Sequence, residues 1–305
     1  MIIIADSGST KTEWIVGEVA DLSVITKGIN PVRDTKEEIL DIISTELMPK
    51  LLSTPAIRQS DITARHQPDT AIRQSDITEI HQSDITEIHF YGAGCVPPFS
   101  QSVKEVLGDL FPQAKVHVHS DLLGAARALC GREEGIACIL GTGSNSCLCK
   151  EGEIVSNISP LGYILGDEGS GAVLGRTLLS EMLKGKLQSL WNDFTLEYGL
   201  TIPDIINKVY RQPQANRFLA SLVPFIKKHT DKPSVKDMVV NEFTHFLERN
   251  VIPYGRPDLP VNFVGGVANA FPDEIHAACT FCGLKVGKIT ARPAEEIRKY
   301  HFYVI

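Results

Sequence analysis

Apolar residues along this chain follow two rhythms. Short apolar runs at MIIIA, TEWIVGEV, LSVITKG, EIHFYGAG, KVHVHSD, GIACILGTG, NSCLCK and VNFVGG read as strands. Between them apolar positions return every three or four residues, as at Val103, Val106, Leu107, Leu110 and Phe111, or at Val235, Met238, Val239, Phe243, Phe246 and Leu247. That is the period of a helix with one buried face. Strands followed by helices predict α/β layers. The stretch from about Gly169 to Asn250 predicts a mostly helical segment, and 305 residues suit two lobes better than one.

One region breaks the rhythm. AIRQSDIT occurs at residues 56–63 and again at 71–78, while QSDITEIH occurs at 74–81 and again at 82–89. These periods match neither a solenoid unit nor a heptad, so the region reads as a tandem duplication. Only the last copy runs into the apolar strand IHFYGAG. The earlier copies, inside an insertion over 53–83, are expected to form a polar surface segment without a core face, whose removal leaves stability and activity nearly unchanged.

Charge and cysteine usage narrow the partners. Lys and Arg number 30 against 37 Asp and Glu, for a net charge of -7, and no basic stripe appears. Neither nucleic acid nor an anionic membrane is expected as a partner. No apolar run approaches the ~18 residues that span a bilayer, which points to a cytoplasmic protein. Seven cysteines scattered through apolar segments suit a reducing compartment. Only Cys279 and Cys282 have Cys-x-x-Cys spacing, within a helical pattern and without a second pair, which is a weak metal or redox signal.

The candidate chemistry lies in the turns. IIIADSGSTKTEW runs from a strand into a turn of small and hydroxyl residues and on into a second strand, so the turn is a hairpin tip. Free backbone N–H groups and Lys11 would attract an anion there, and Asp6 would repel it unless a cation lay between. Phosphate with Mg²⁺ reconciles these parts, whereas the plain alternative is an ordinary hairpin with a polar tip. A second such tip stands at LGTGSNS. A third glycine step, FVGGVANAF, ends a strand and opens a helix whose N-terminus favours a negative group. Asp121 stands where a strand gives way to a small-residue helix, as either an active-site carboxylate or an N-cap.

In this order the three steps resemble those of the actin-like ATPase and sugar-kinase superfamily, and within it the BadF/BadG/BcrA/BcrD ATPase group that includes N-acetylglucosamine kinases. The resemblance covers nearly the whole chain except 53–83. It implies a two-lobed α/β fold of ribonuclease H-like type, with nucleotide and sugar in the cleft between an N-terminal lobe of residues 1–122 and a C-terminal lobe of 123–294. The helix at 295–305 would return to the first lobe. DSGSTKTEW resembles the first phosphate motif, which assigns Ser9, Thr10 and Lys11 to ATP and Asp6 to Mg²⁺. GTGSNS resembles the second, with Gly141, Thr142 and Gly143 on ATP, and GGVAN the adenosine motif, with Gly265, Gly266 and Ala268.

The same resemblance makes Asp121, in HSDLLGAARAL, the general base toward a sugar hydroxyl. Asn30, Ser144, Gly162 and Asp167 become sugar-binding residues. Asn30 also fits plain turn chemistry before Pro31, and the acids of GDEGSG fit a helix start. One departure is Pro160-Leu161-Gly162, where the animal N-acetylglucosamine kinases carry Gly-Trp-Gly, which bears on amino-sugar specificity. The implied activity is ATP-dependent phosphorylation of N-acetylglucosamine or a related N-acetylated sugar by a possible homodimer. The alternatives are a sugar-sensing protein without turnover and an ATPase that activates a dehydratase, although the latter's cluster cysteines are not found.

Overall fold

A computed structural model describes residues 1–8, 10–17, 22–52 and 80–302, together with the backbone of 55–57 and 77–79. As far as they are described, the residues form two compact units, one from Met1–Gly124 and Ala294–Ile305, the other from Ala125–Pro293.

The first unit is built on five strands. β1 (Ile2–Ser7) pairs antiparallel with β2 (Lys11–Val16), and β2 pairs antiparallel with β3 (Ser23–Lys27). Two short strands, β4 (Pro55–Ile57) and β5 (Ile77–Glu79), pair antiparallel with each other. β6 (Glu87–Gly92) and β7 (Lys115–Ser120) extend the main sheet on the other side of β1 in parallel, giving the order β3-β2-β1-β6-β7. Ile3, Ile4 and Ala5 are fully buried, which is the continuous apolar signature of a strand covered on both faces. The helix Ser100–Leu110 buries Val103, Val106 and Leu107, the face read from its period. Thr35 and Glu38 form a reciprocal cap that starts the helix Lys36–Ile42.

The second unit repeats the plan. β8 (Gly135–Leu140), β9 (Ser144–Lys150) and β10 (Glu153–Ile158) are antiparallel, while β11 (Val261–Val264) and β12 (Val286–Thr290) run parallel to β8. The order β10-β9-β8-β11-β12 is that of the first sheet, with β8 in the place of β1. One ribonuclease H-like sheet per unit is the arrangement the resemblance implies. Helices fill most of 171–250, as the apolar period predicts, and Leu174, Leu178, Phe225, Val239 and Phe246 join Ile136 and Phe263 of the sheet in one core.

The insertion requires a correction. Residues 58–76 lie outside those described, but Ile80, the penultimate residue of the copy at 74–81, is 2% exposed and belongs to the first core. So does Ile85 of the final copy. The expected core-free segment therefore ends before Ile80, since burying this side chain uses the turn between β5 and β6. Removing 58–76 and closing Ile57 to Ile77 with a short turn should leave the melting temperature nearly unchanged. Ile80→Ala should destabilise the protein by about 2–5 kcal/mol. Chemical denaturation of the two variants checks both expectations.

Candidate active site

In the first unit the candidate residues gather at the C-terminal ends of β1 and β7. Ser7 pairs with Thr12 across the β1–β2 hairpin, so the tip is short, and Gly8 N donates to Lys11 O at 3.0 Å to close it. The Ser7 hydroxyl, fully buried, lies 2.7 Å from the Thr12 hydroxyl and donates to Ile29 O at 2.9 Å. Ile29 N returns a bond to it at 3.0 Å. This pins the segment after β3 to the end of β1, which places Asn30 there.

Asn30 Oδ1 accepts from Val32 N at 3.0 Å, and Asn30 N donates to Asp34 Oδ2 at 2.7 Å. Turn chemistry therefore occupies its carbonyl oxygen. The turn after β6 wraps closely around this oxygen: Gly94 has φ +77°, and a Cβ on it would stand 2.4 Å from Asn30 Oδ1. Only glycine fits both the backbone and the gap. Thr10 and Lys11 are exposed at the hairpin tip, and Ser9 lies outside the described residues.

Asp121 opens the helix Asp121–Cys130. The N-cap bond belongs to its neighbour, because Leu123 N donates to Ser120 Oγ at 3.2 Å, while Asp121 Oδ1 accepts from Leu122 N at 2.9 Å. Burial raises the Asp121 carboxyl above the ordinary carboxylate range, against the pull of its backbone hydrogen bonds. Asp6 is raised to about 7, by burial first, then by the charges of Asp121 and Glu13, with Lys11 opposing. A carboxylate whose charge is disfavoured by neighbouring carboxylates is one that a bound cation would stabilise. The same field, after burial, helps push the Cys95 thiol up to about 12.

Glu13 was missed in the sequence. It pairs directly with Asp6 across β1 and β2 and is buried. A buried acid inside the strand TEWIV was the available signal.

The Asp6 shift fixes the sign of a pH effect. A carboxyl whose folded value lies near 7 instead of the ordinary 3.8 favours folding fully below about pH 4, and this contribution is lost as pH rises through 7. The upper limit is about 4 kcal/mol. In metal-free buffer Asp6→Asn should therefore melt above the unsubstituted protein at pH 8, with the gap closing toward pH 4. Equal melting temperatures at pH 8 by calorimetry would refute the electrostatic reading.

In the second unit the tip between β8 and β9 is held from three sides. Gly141 N donates to Gly143 O at 2.9 Å, closing the turn. The first N–H groups of the helix Gly171–Lys184 are spent on it, Gly171 N on Gly141 O at 2.8 Å and Ala172 N on Thr142 O at 3.1 Å, with Ser170 as N-cap. Gly265, at φ +117°, lies so close that a Cβ would stand 2.3 Å from Leu140 O. This close approach brings the third glycine step onto the second tip, with Gly266 opening the following helix. Ala268 is fully buried in the core, which makes its methyl a packing group.

Asp167 meets this tip. Its Oδ1 accepts from Ser144 N at 3.2 Å, and its carboxylate lies against Gly143, where a Cβ would come within 3.1 Å. Asp167 N donates to Pro160 O at 2.8 Å, and its φ of +52° is left-handed, a strained state that clusters at functional sites. Burial raises its carboxyl, the Ser144 N–H lowers it, and Glu168 raises it again. Glu168 itself accepts from Arg249 and Asn250, so the second acid of GDEGSG anchors the loop to the helix Pro233–Asn250. Gly162 opens a four-residue helix, Gly162–Leu165, and nothing lies within 4 Å of where its Cβ would stand. The structure thus brings Gly141, Gly143, Ser144, Asp167 and Gly265 together, and Gly162 belongs to the loop that leads into Asp167, its carbonyl accepting from Gly166 N at 2.7 Å.

Cys279 and Cys282 are free, the first buried in the core. Among the described residues no helix is long and apolar enough to cross a membrane.

No family model and no curated protein matches the chain. Solved structures do. A protein of Porphyromonas gingivalis described as a candidate N-acetylglucosamine kinase is 44% identical, with a TM-score of 0.86, over 99% of this chain and 98% of its own. A candidate N-acetylglucosamine kinase from Chromobacterium violaceum is 17% identical, with a TM-score of 0.62, over 98% of each chain. A glucokinase of Streptomyces griseus, solved with glucose and AMPPNP, is 13% identical, with a TM-score of 0.53, over 97% of each. The last two likenesses are of fold.

Proposed function

Because the chain belongs to the N-acetylglucosamine kinase-like family of actin-like ATPases, we propose that it transfers the γ-phosphoryl group of ATP to a hydroxyl of N-acetylglucosamine or a related N-acetylated sugar. The observation that carries the kinase reading is the placement of two carboxylates, Asp6 and Asp121, at the ends of β1 and β7, where the charge of Asp121 helps to raise Asp6. The choice of sugar rests on the 44% identical protein from P. gingivalis.

Asp121 is the general base of this proposal. Its carboxyl, raised by burial, is better matched to taking a hydroxyl proton near neutral pH than an ordinary aspartate. The N-cap bond to Leu123 N is made by Ser120, and Asp121 accepts from Leu122 N through Oδ1, which leaves its second carboxylate oxygen for a substrate hydroxyl in this proposal. Asp6 is the residue that would hold Mg²⁺. Its oxygen donor suits a hard cation, and a bound cation would relieve the two charges that raise it. When bound, Mg²⁺ supplies neutralisation of phosphate charge.

Thr10, Lys11 and the backbone N–H groups of both tips are proposed to face the phosphates, and Gly265 and Gly266 the adenosine. Asp167 accepts sugar hydroxyls in this reading, held in place by Ser144 N–H and by the Pro160 carbonyl. Asn30 contributes through its amide nitrogen, because its carbonyl oxygen serves the turn. Gly162 is proposed to line the sugar side through its backbone.

A coupled ADP-release assay over a panel of N-acetylated sugars, free amino sugars and plain hexoses tests the proposal. The highest kcat/KM is expected for N-acetylglucosamine or a close N-acetylated relative. A plain hexose as best substrate would overturn the sugar assignment, and ATP turnover without dependence on any sugar would overturn the kinase.

A further inference from the structure

A second cluster of ligating side chains lies in the first unit, on strands that end near the carboxylates but away from them. β6 and β7 run parallel in a register that sets Glu87 beside Lys115, His89 beside His117 and Tyr91 beside His119. Alternation along a strand puts Glu87 and His89 on one face, and the register puts His117 on the same face. Glu87 Oε1 lies 3.1 Å from His89 Nε2 and 3.3 Å from His117 Nε2. One ligand atom from each residue falls within 4.8 Å of the other two.

Those separations have a chemical meaning. Tetrahedral zinc with bonds of about 2.0–2.1 Å holds neighbouring donor atoms about 3.3 Å apart. The two nitrogen-to-oxygen distances are already at that spacing. The imidazoles of His89 and His117 are stacked at 4.8 Å with planes 6° apart, so each ring must turn about its Cβ–Cγ bond to aim a lone pair at a shared ion. His89 is buried, while the side chains of Glu87 and His117 are 33% and 29% exposed, which leaves a route for the ion. Two imidazole nitrogens and one carboxylate oxygen form a borderline donor set that suits Zn²⁺ and discriminates against Mg²⁺, which takes oxygen ligands.

We propose that Glu87, His89 and His117 form a Zn²⁺ site that links β6 to β7, with water as the fourth ligand. It is distinct from the Asp6 position. Asp6 pairs with Tyr91, two residues further along β6 than His89, or about 6.6 Å along the strand. Binding would break the imidazole stack and stiffen the sheet edge, and so raise thermal stability by mass action.

The test is calorimetric titration of Zn²⁺ into metal-free full-length protein. One ion per chain is expected, with affinity unchanged in Asp6→Asn. Glu87→Gln and His117→Gln should each weaken it by more than the roughly 10–100-fold that loss of an outer-shell partner costs. Both replaced residues are partly exposed, and melting curves without metal check that the variants fold. X-ray absorption of the unsubstituted zinc-loaded protein decides independently of any variant, with two imidazole nitrogens and oxygen neighbours expected at about 2.0–2.1 Å. Zinc binding that survives His117→Gln, zinc binding lost in Asp6→Asn, or an absorption spectrum without two imidazoles would each overturn the assignment.

Discussion

Asp121→Asn is expected to lower kcat by about 10²- to 10⁴-fold while leaving sugar affinity close to normal. The amide has nearly the same size as the carboxyl and can still accept the Leu122 N–H that Asp121 Oδ1 receives, so the helix start is preserved. Ser120 continues to cap the helix through Leu123 N. What the amide cannot do is take a proton from an acceptor hydroxyl. Loss confined to turnover is the signature of an interaction made in the transition state. Single-turnover kinetics with sugar binding measured by calorimetry separates the two quantities. An Asp121→Asn protein with normal turnover would reduce Asp121 to a half-buried charge without a catalytic part.

Asp167→Asn is expected to show the opposite pattern. A carboxylate accepts from two hydroxyls more strongly than an amide oxygen, and each charge-assisted hydrogen bond contributes about 1.5–3 kcal/mol. Losing the charge should raise KM for the sugar by roughly 10- to 100-fold with a smaller change in kcat, since the bonds are made in ground and transition states alike. Folding should not be what fails. Asn tolerates the left-handed backbone that Asp167 adopts at φ +52° and still accepts from Ser144 N. Initial-rate measurements over a range of sugar and of ATP check this, since KM for ATP should stay within a few-fold. A change confined to KM for ATP would place Asp167 on the nucleotide instead.

Much of this arrangement was legible in the chain. Strands closing on small-residue turns gave the tips at 8–11 and 141–143, because glycine-rich tips between β-rich runs leave few other folds. The helical half followed from its apolar period. What could not be read were contacts between distant segments. The wrap of Gly94 around Asn30 and the approach of Gly265 to Leu140 depend on where strands far apart in sequence come together. Asp121 shows the limit most clearly. Its position after a strand and before a helix suits a cap and a base equally, and only the neighbouring Ser120 hydroxyl, aimed at Leu123 N, shows that the cap is already made. The pairing of Glu13 with Asp6 likewise needed the hairpin register. Ile80 was misread because its copy of the repeat is polar on average, while one side chain of it reaches the core. The histidines at 89, 117 and 119 sit at strand period, yet their juxtaposition requires knowing that β6 and β7 are neighbours.

Phosphorus NMR of the unsubstituted protein with Mg²⁺, ATP and N-acetylglucosamine tests the central claim most directly. A new phosphomonoester resonance, split by sugar protons and growing in step with ADP, is the expected result. ATP that stays intact while the sugar binds, or ATP converted only to ADP and inorganic phosphate, would contradict a sugar kinase.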